Sequence, residues 1–235
     1  MSKKKTDRWR QSGLFSLLVP FLRFLLGPMK TVWQTPFDEG SPAIFVCNHD
    51  SAYGPIAMCA RFELYKAVRP WINSEVLSVR KMPSYVRGDF WWPQNAWYTK
   101  ILDYTVAYIA ALLLPAILRG SACIPVYHDS GVITTLKDSV DALKSGHPII
   151  LFPEHPTGYR EYGRDVMTGF TSLGKLTARR TGLSLKFYPT YIDWKAKKIS
   201  IASPLTYDKN LSHADLEETI STAAEAFFAR RGDFQ

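Results

Sequence analysis

Three histidines in this chain adjoin a carboxylic acid, and each pair follows a short apolar run. They are His49-Asp50, His128-Asp129 and Glu154-His155. Histidine takes and returns protons near neutral pH, and a carboxylate that fixes its tautomer makes it a competent base. If the three apolar runs are neighbouring strands, the pairs meet at one edge of a sheet, where α/β proteins place their chemistry. The same side chains also ligate zinc or manganese. A metal-dependent hydrolase is therefore a second chemistry to weigh, although no dense ligand motif such as HExxH supports it.

The elements that must position these residues can be read from pattern. Residues 43–47 (Ala-Ile-Phe-Val-Cys) have the length and composition of a buried strand. They lead into Asn48-His49-Asp50-Ser51, and an apolar helix is expected over 56–68, ended by Arg69-Pro70. Further strands are expected over 122–127, 148–152, 185–192 and 199–202. Helices are expected over 130–145, 168–181 and from Ser212, where Asp215 completes a capping signal. Gly146, Gly182 and Gly232 stand just past those helices. Residues 31–42 read as an irregular connection. The expected fold is α/β: one domain, a mixed but mostly parallel sheet flanked by helices.

Two segments stand outside that pattern. Residues 1–30 combine Lys3, Lys4, Lys5, Arg8 and Arg10 with Leu14, Leu17, Leu18, Phe21, Leu22 and Leu25 at helical spacing. The apolar run is shorter than the roughly 20 residues that span a bilayer, and no small-residue cleavage site follows it. It is expected to be an amphipathic helix docking on anionic lipid. Residues 70–119 read as a hydrophobic, aromatic insertion. Within it, 101–118 is apolar except for Asp103 and is flanked by Lys100, Arg119, Trp91, Trp92 and Trp97. Membrane embedding, as a dip or a span, is expected there.

Composition narrows the function classes. At 46% hydrophobic residues the chain is not a disordered one. A net charge of +8 suits anionic lipid, nucleic acid or acidic substrates. Seven Trp, twelve Tyr and thirteen Phe favour the membrane surface. No nucleic-acid-binding motif is present, so no nucleic-acid partner is expected. Cys47, Cys59 and Cys123 lie in or beside apolar runs without metal-ligand or CxxC spacing. They are expected to be reduced thiols of a cytosol-facing protein.

The order of segments resembles the glycerol-3-phosphate and 1-acylglycerol-3-phosphate (lysophosphatidate) acyltransferase superfamily. Its first block, Asn-His-x-Ser-x-x-Asp-Pro, is matched by Asn48-His49-Asp50-Ser51-Ala52-Tyr53-Gly54-Pro55. Its second, Gly-x-Ile-Phe-Ile-Asp-Arg, is similar to the stretch from Ser121 to His128. Its third, Phe-Pro-Glu-Gly-Thr-Arg, is matched by Phe152-Pro153-Glu154-His155-Pro156-Thr157. A Gly-Phe-x-x-Gly-type helix and an apolar strand with proline follow at Gly169–Gly174 and Phe187–Tyr191. The resemblance covers residues 43–207.

It implies a membrane-associated O-acyltransferase of phospholipid biosynthesis on the cytoplasmic face of the membrane, peripheral or monotopic. Such an enzyme has acyl-CoA or acyl carrier protein as co-substrate and no cofactor. His49 would be the general base that activates an acceptor hydroxyl, with Asp50 and Glu154 completing the catalytic set. Asn48, Ser51, Tyr53, Gly54, His128, Phe152, Pro153, His155 and Arg160 would line the substrate site. The chain departs from the family at three places. Gly54 replaces the orienting aspartate, His128 replaces the second-block arginine, and His155-Pro156-Thr157 replaces Gly-Thr-Arg. Arg160 and Arg164 follow shortly after and are candidates to hold an acceptor phosphate. A non-catalytic, lipid-binding descendant is the alternative within the same family.

Overall fold

A computed structural model describes residues 8–49, 53–88, 97–127, 130–153 and 169–233. The strands are β1 (Lys30–Trp33), β2 (Ala43–Cys47), β3 (Arg69–Asn73), β4 (Ile124–Val126), β5 (Ile149–Leu151), β6 (Lys186–Asp193), β7 (Lys198–Ile201) and β8 (Leu205–Thr206). They form one sheet in the order β1-β7-β6-β2-β5-β3-β4, with β8 also paired to β6. β6, β2, β5, β3 and β4 run parallel, while β7 and β8 run antiparallel to β6. The protein is thus α/β with a mixed, mostly parallel sheet flanked by helices.

β2 is the middle strand, and all five of its residues are buried. That fits its unbroken apolar sequence, because a central parallel strand is covered on both faces. Its alternation divides the core. Ile44 and Val46 face helices α6 (Val132–Lys144), α7 (Ser172–Thr181) and α8 (His213–Ala229) through Val140, Leu173, Ile220 and Phe228. Ala43, Phe45 and Cys47 face the other side, with Ala57 and Met58 of α2 (Tyr53–Ala60), Phe62 and Tyr188. Phe45 stacks at 5.0 Å from Phe62 and 5.3 Å from Tyr188, ring centre to ring centre. Offset and edgewise aromatic pairs of this kind add to the area they bury.

The structure corrects several sequence-level expectations. Residues 31–33, expected to open an irregular connection, form with Lys30 the edge strand β1, paired in parallel with β7. Its half-buried Lys-Thr-Val-Trp sequence carries no apolar run to announce it. The helix expected over 56–68 ends at Ala60. There the amide of Phe62 reaches back to the Ala57 carbonyl at 3.1 Å, and the ring turns in beneath β2. Residues 70–73, expected to open the insertion, instead belong to strand β3, inside the sheet between β5 and β4. Pro70 masks it: proline cannot donate to a ladder and argues against a central strand. Here β3 pairs with β5 at Pro70 and with β4 only from Trp71 onward.

The remaining excursion holds α3 (Met82–Gly88), α4 (Thr99–Tyr104) and α5 (Val106–Gly120). Residues 89–96, including Trp91 and Trp92, lie outside the described residues. Among the described residues no single helix is long and apolar enough to cross a membrane. The halves Thr99–Ile109 and Ala111–Gly120 meet those criteria only together and are bent by 43°. Pro115 lies inside the second half and donates no backbone hydrogen bond there. Ala107 and Ala111 pack on Met82. Ile101, Tyr104, Ile109, Leu112 and Leu113 point outward, Leu112 with 70% of its surface exposed.

Helix α1 (Gly13–Leu26) is capped by Ser12, whose hydroxyl accepts the Phe15 amide. Phe15, Val19 and Leu26 pack with Ala60, Tyr65 and Ile117. The opposite side keeps a second apolar stripe. Leu17 is 79% exposed and Phe24 82%, with Leu14, Phe21 and Leu25 beside them.

Candidate functional site

His49 sits two residues beyond β2, at the edge where all five parallel strands deliver their carboxyl ends. Asn48 fixes that end. Fully buried, its side-chain oxygen accepts the Ile192 amide at 2.6 Å and its side-chain NH2 donates to the Ile192 carbonyl at 3.1 Å. Its own backbone amide donates to Thr190 at 3.3 Å. The side chain therefore continues the β2–β6 ladder after the strand has ended, so the backbone entering His49 is held on a rigid element. Asn48→Ala would strand the Ile192 N–H and C=O in the core. Urea unfolding is expected to register a loss of about 2–4 kcal/mol; a loss below about 0.5 kcal/mol would show the brace to be dispensable.

β5 lies directly beside β2, with Val46 opposite Leu151. Phe152 continues β5, and its ring stands edge-on to the half-buried His49 imidazole, 5.3 Å between centres at 65°. Asn48-His49 and Phe152-Pro153 are thus side by side at one strand edge. β4 is more distant, with β5 and β3 between it and β2. At the usual strand spacing its end lies about 14 Å from that of β2. Thr135 of α6 anchors that end, donating from its hydroxyl to the Pro125 carbonyl at 2.8 Å and accepting the Tyr127 amide at 3.1 Å.

Gly54 has a structural meaning that the sequence did not disclose. The first turn of α2 folds back against the carbonyls it has just left. A Cβ at position 54 would collide with the His49 carbonyl oxygen and lie 2.9 Å from its carbon and 3.3 Å from the Asn48 oxygen. No side chain fits there, so the family's aspartate is excluded by the path of the backbone. Tyr53 opens α2. Asp50, Ser51, His128, Asp129, Glu154, His155, Arg160 and Arg164 lie outside the described residues.

The chain finds no match to a protein-family model, a curated protein or a solved structure. Among the described residues no group of three or more His, Cys, Asp or Glu could hold a metal ion. Cys59 and Cys123 are thiols, not disulfide partners. Burial pushes Cys59 up to about 12, with the Cys123 thiol adding to the effect, and pushes Cys123 up to about 11. Neither supplies a thiolate near neutral pH.

A cleft of about 380 Å³ opens at the same strand edge, beyond β3 and β4. Ser74, Ser78, Arg80, Arg119 and Tyr127 line it among others. The Arg119 guanidinium donates to the Leu77 carbonyl at 2.8 Å, which ties the end of α5 to the cleft wall. Sequence reasoning missed Ser74 and Arg80, which stand in the turns that follow β3, because that strand was itself missed. Arg119 was visible only as the polar end of an apolar run.

Proposed function

We propose that this protein is a membrane-associated acyltransferase. It moves a fatty acyl group from acyl-CoA or acyl carrier protein to a hydroxyl of a lysophospholipid-like acceptor. The observation that carries the reading is the His49–Phe152 contact. Residues from two stretches far apart in sequence, each resembling a block of the acyltransferase pattern, lie side by side at the carboxyl edge of a parallel sheet.

In the proposed reaction an imidazole nitrogen of His49 takes the acceptor's hydroxyl proton. The oxygen attacks the thioester carbonyl, the carbon–sulfur bond breaks, and the imidazolium returns the proton to the leaving thiolate. Gly54 leaves room for the α2 turn rather than orienting the ring, so the orienting role falls to Asp50, Glu154, Asp129 or a backbone carbonyl. Glu154 positions the acceptor or its loop. His128, His155, Arg160 and the Arg80–Arg119 cleft serve the acceptor's polar head. The outward stripes of α1 and of α4–α5 enter the cytoplasmic leaflet without spanning it.

Gly54 also favours a second reading, a lipid-binding descendant without turnover. A hydrolase using the His/acid pairs is a third. Protein purified without chelators and given labelled acyl-CoA or acyl carrier protein with lysolipid vesicles separates transfer from hydrolysis. The expected result is label in a new acylated lipid that forms only with acceptor and persists in EDTA. Label recovered solely as free fatty acid, or activity abolished by EDTA, would contradict acyl transfer by a histidine base.

A further inference from the structure

At the opposite edge of the sheet lies a larger cleft, about 490 Å³, far from the proposed chemistry. It gathers Arg10, Lys66, Arg69 and His147, with Ser16 and Tyr65. No carboxylate is among the described residues that line it. The gathering follows from strand order. Arg69 opens β3 and pairs with Ile149 of β5, and its amide donates to the Pro148 carbonyl at 2.8 Å, so the chain entering both strands converges there.

The floor of this cleft is built, not incidental. Arg69 is 2% exposed, and one guanidinium nitrogen donates to the carbonyls of Val68 at 2.7 Å and Lys66 at 2.9 Å. Arginine keeps its charge even when buried. His147 Nδ1 lies 3.1 Å from the Ala67 carbonyl. A carbonyl only accepts, so Nδ1 carries the proton, and the ring is fixed in the cleft wall. Arg10 and Lys66 form an exposed, cationic rim. Gln11 ties that rim to the domain by donating to the Tyr65 carbonyl at 2.8 Å.

Ser16 places the cleft against one flank of α1. Arg23, two turns further on the same flank, stacks over the Tyr65 ring at 4.4 Å. This flank separates the packed side of α1, at Phe15 and Val19, from the exposed stripe of Leu17, Phe21 and Phe24. If that stripe rests in the acyl-chain boundary, the neighbouring flank stands at headgroup depth.

We propose that this cleft binds the phosphate of an anionic phospholipid headgroup and so orients the protein on the bilayer, separately from catalysis. The inference rests on the membrane-facing reading of α1 and is independent of acyl transfer. Buried Arg69 supplies fixed charge and forked donors, and Arg10 and Lys66 close over the phosphate.

The test is partitioning of the full chain onto vesicles of phosphatidylcholine alone and of phosphatidylcholine with phosphatidylglycerol. Arg10→Gln and Lys66→Gln are compared with Lys209→Gln, an exposed lysine on the chain leading to α8 that makes the same change in net charge. Wild type is expected to prefer the anionic vesicles. Arg10→Gln and Lys66→Gln should each weaken that preference about fivefold, with binding to neutral vesicles unchanged and Lys209→Gln near wild type. Equal losses in all three variants would overturn the site in favour of diffuse charge. A parallel arm measures the thermal midpoint of lipid-free protein with inorganic phosphate replacing chloride at fixed ionic strength. Stabilisation by phosphate that Arg10→Gln and Lys66→Gln remove, with anionic-vesicle preference untouched by them, would assign the cleft to free phosphate and overturn the headgroup. Failure to bind any vesicle would overturn the membrane reading of α1 and this proposal with it.

Discussion

His49→Ala is expected to lower acyl transfer by about 10³-fold, the range typical of removing a general base. The reason is positional as well as chemical. His49 follows a strand whose last residues are locked to β6 through Asn48, and its ring is seated against Phe152. The imidazole is therefore held at the edge where the donor and acceptor must meet. It is only half-buried, so truncation should leave the unfolding midpoint close to wild type, and lost activity would not reflect lost fold. His49→Gln serves as the companion variant, retaining polarity and approximate size without a basic ring nitrogen. Both variants should show this loss in kcat, with KM for the acyl donor little changed. An active His49→Ala protein would exclude His49 as the base.

Gly54→Asp restores the residue that the acyltransferase pattern places five positions after its histidine, and it is nonetheless expected to damage the protein. The new Cβ would have to displace the carbonyl of His49 itself. Forcing atoms into such a site costs about 1–3 kcal/mol. A displacement of the order of 1 Å at a catalytic group costs about 100-fold in rate. Gly54→Ala separates bulk from charge, and the same loss is expected because the clash begins at Cβ. Thermal unfolding and initial rates on the three proteins check this together. Higher activity in Gly54→Asp than in wild type would show that the loop yields and that the aspartate, not the space, is what the chain lacks.

The parts of this fold legible in the sequence were those with strong periodic or apolar signals. β2 and β5 are continuous apolar runs, β6 is rich in aromatic and β-branched residues, and α6, α7 and α8 have periodic faces with glycine beyond their ends. The parts that escaped were elements whose structure depends on partners. β1 is a half-polar edge strand, β8 has two residues, and β3 carries a proline that local rules read as a stop. Missing β3 misplaced the insertion and hid the cleft residue Arg80.

The site divides in the same way. His49 and Phe152 could be named from short motifs, because both follow apolar runs. The double use of Asn48 by Ile192 depends on β6, distant in sequence, lying beside β2. The exclusion at Gly54 depends on the path of a turn, and composition alone reads that glycine only as a missing acid. The cationic cleft at the other edge joins residues from α1, β3 and the start of β5, which only the strand order brings together.

The most direct test of the central claim is a count of acylated product from wild-type protein in vesicles. Labelled acyl-CoA and acyl carrier protein would be offered with a panel of lysophospholipids and simple alcohols. The account predicts a new ester with at least one acceptor, formed in proportion to enzyme, and the successful acceptor then names the substrate. Intact vesicle binding with no ester from any donor–acceptor pair would contradict it and leave a lipid-binding protein built on the same sheet.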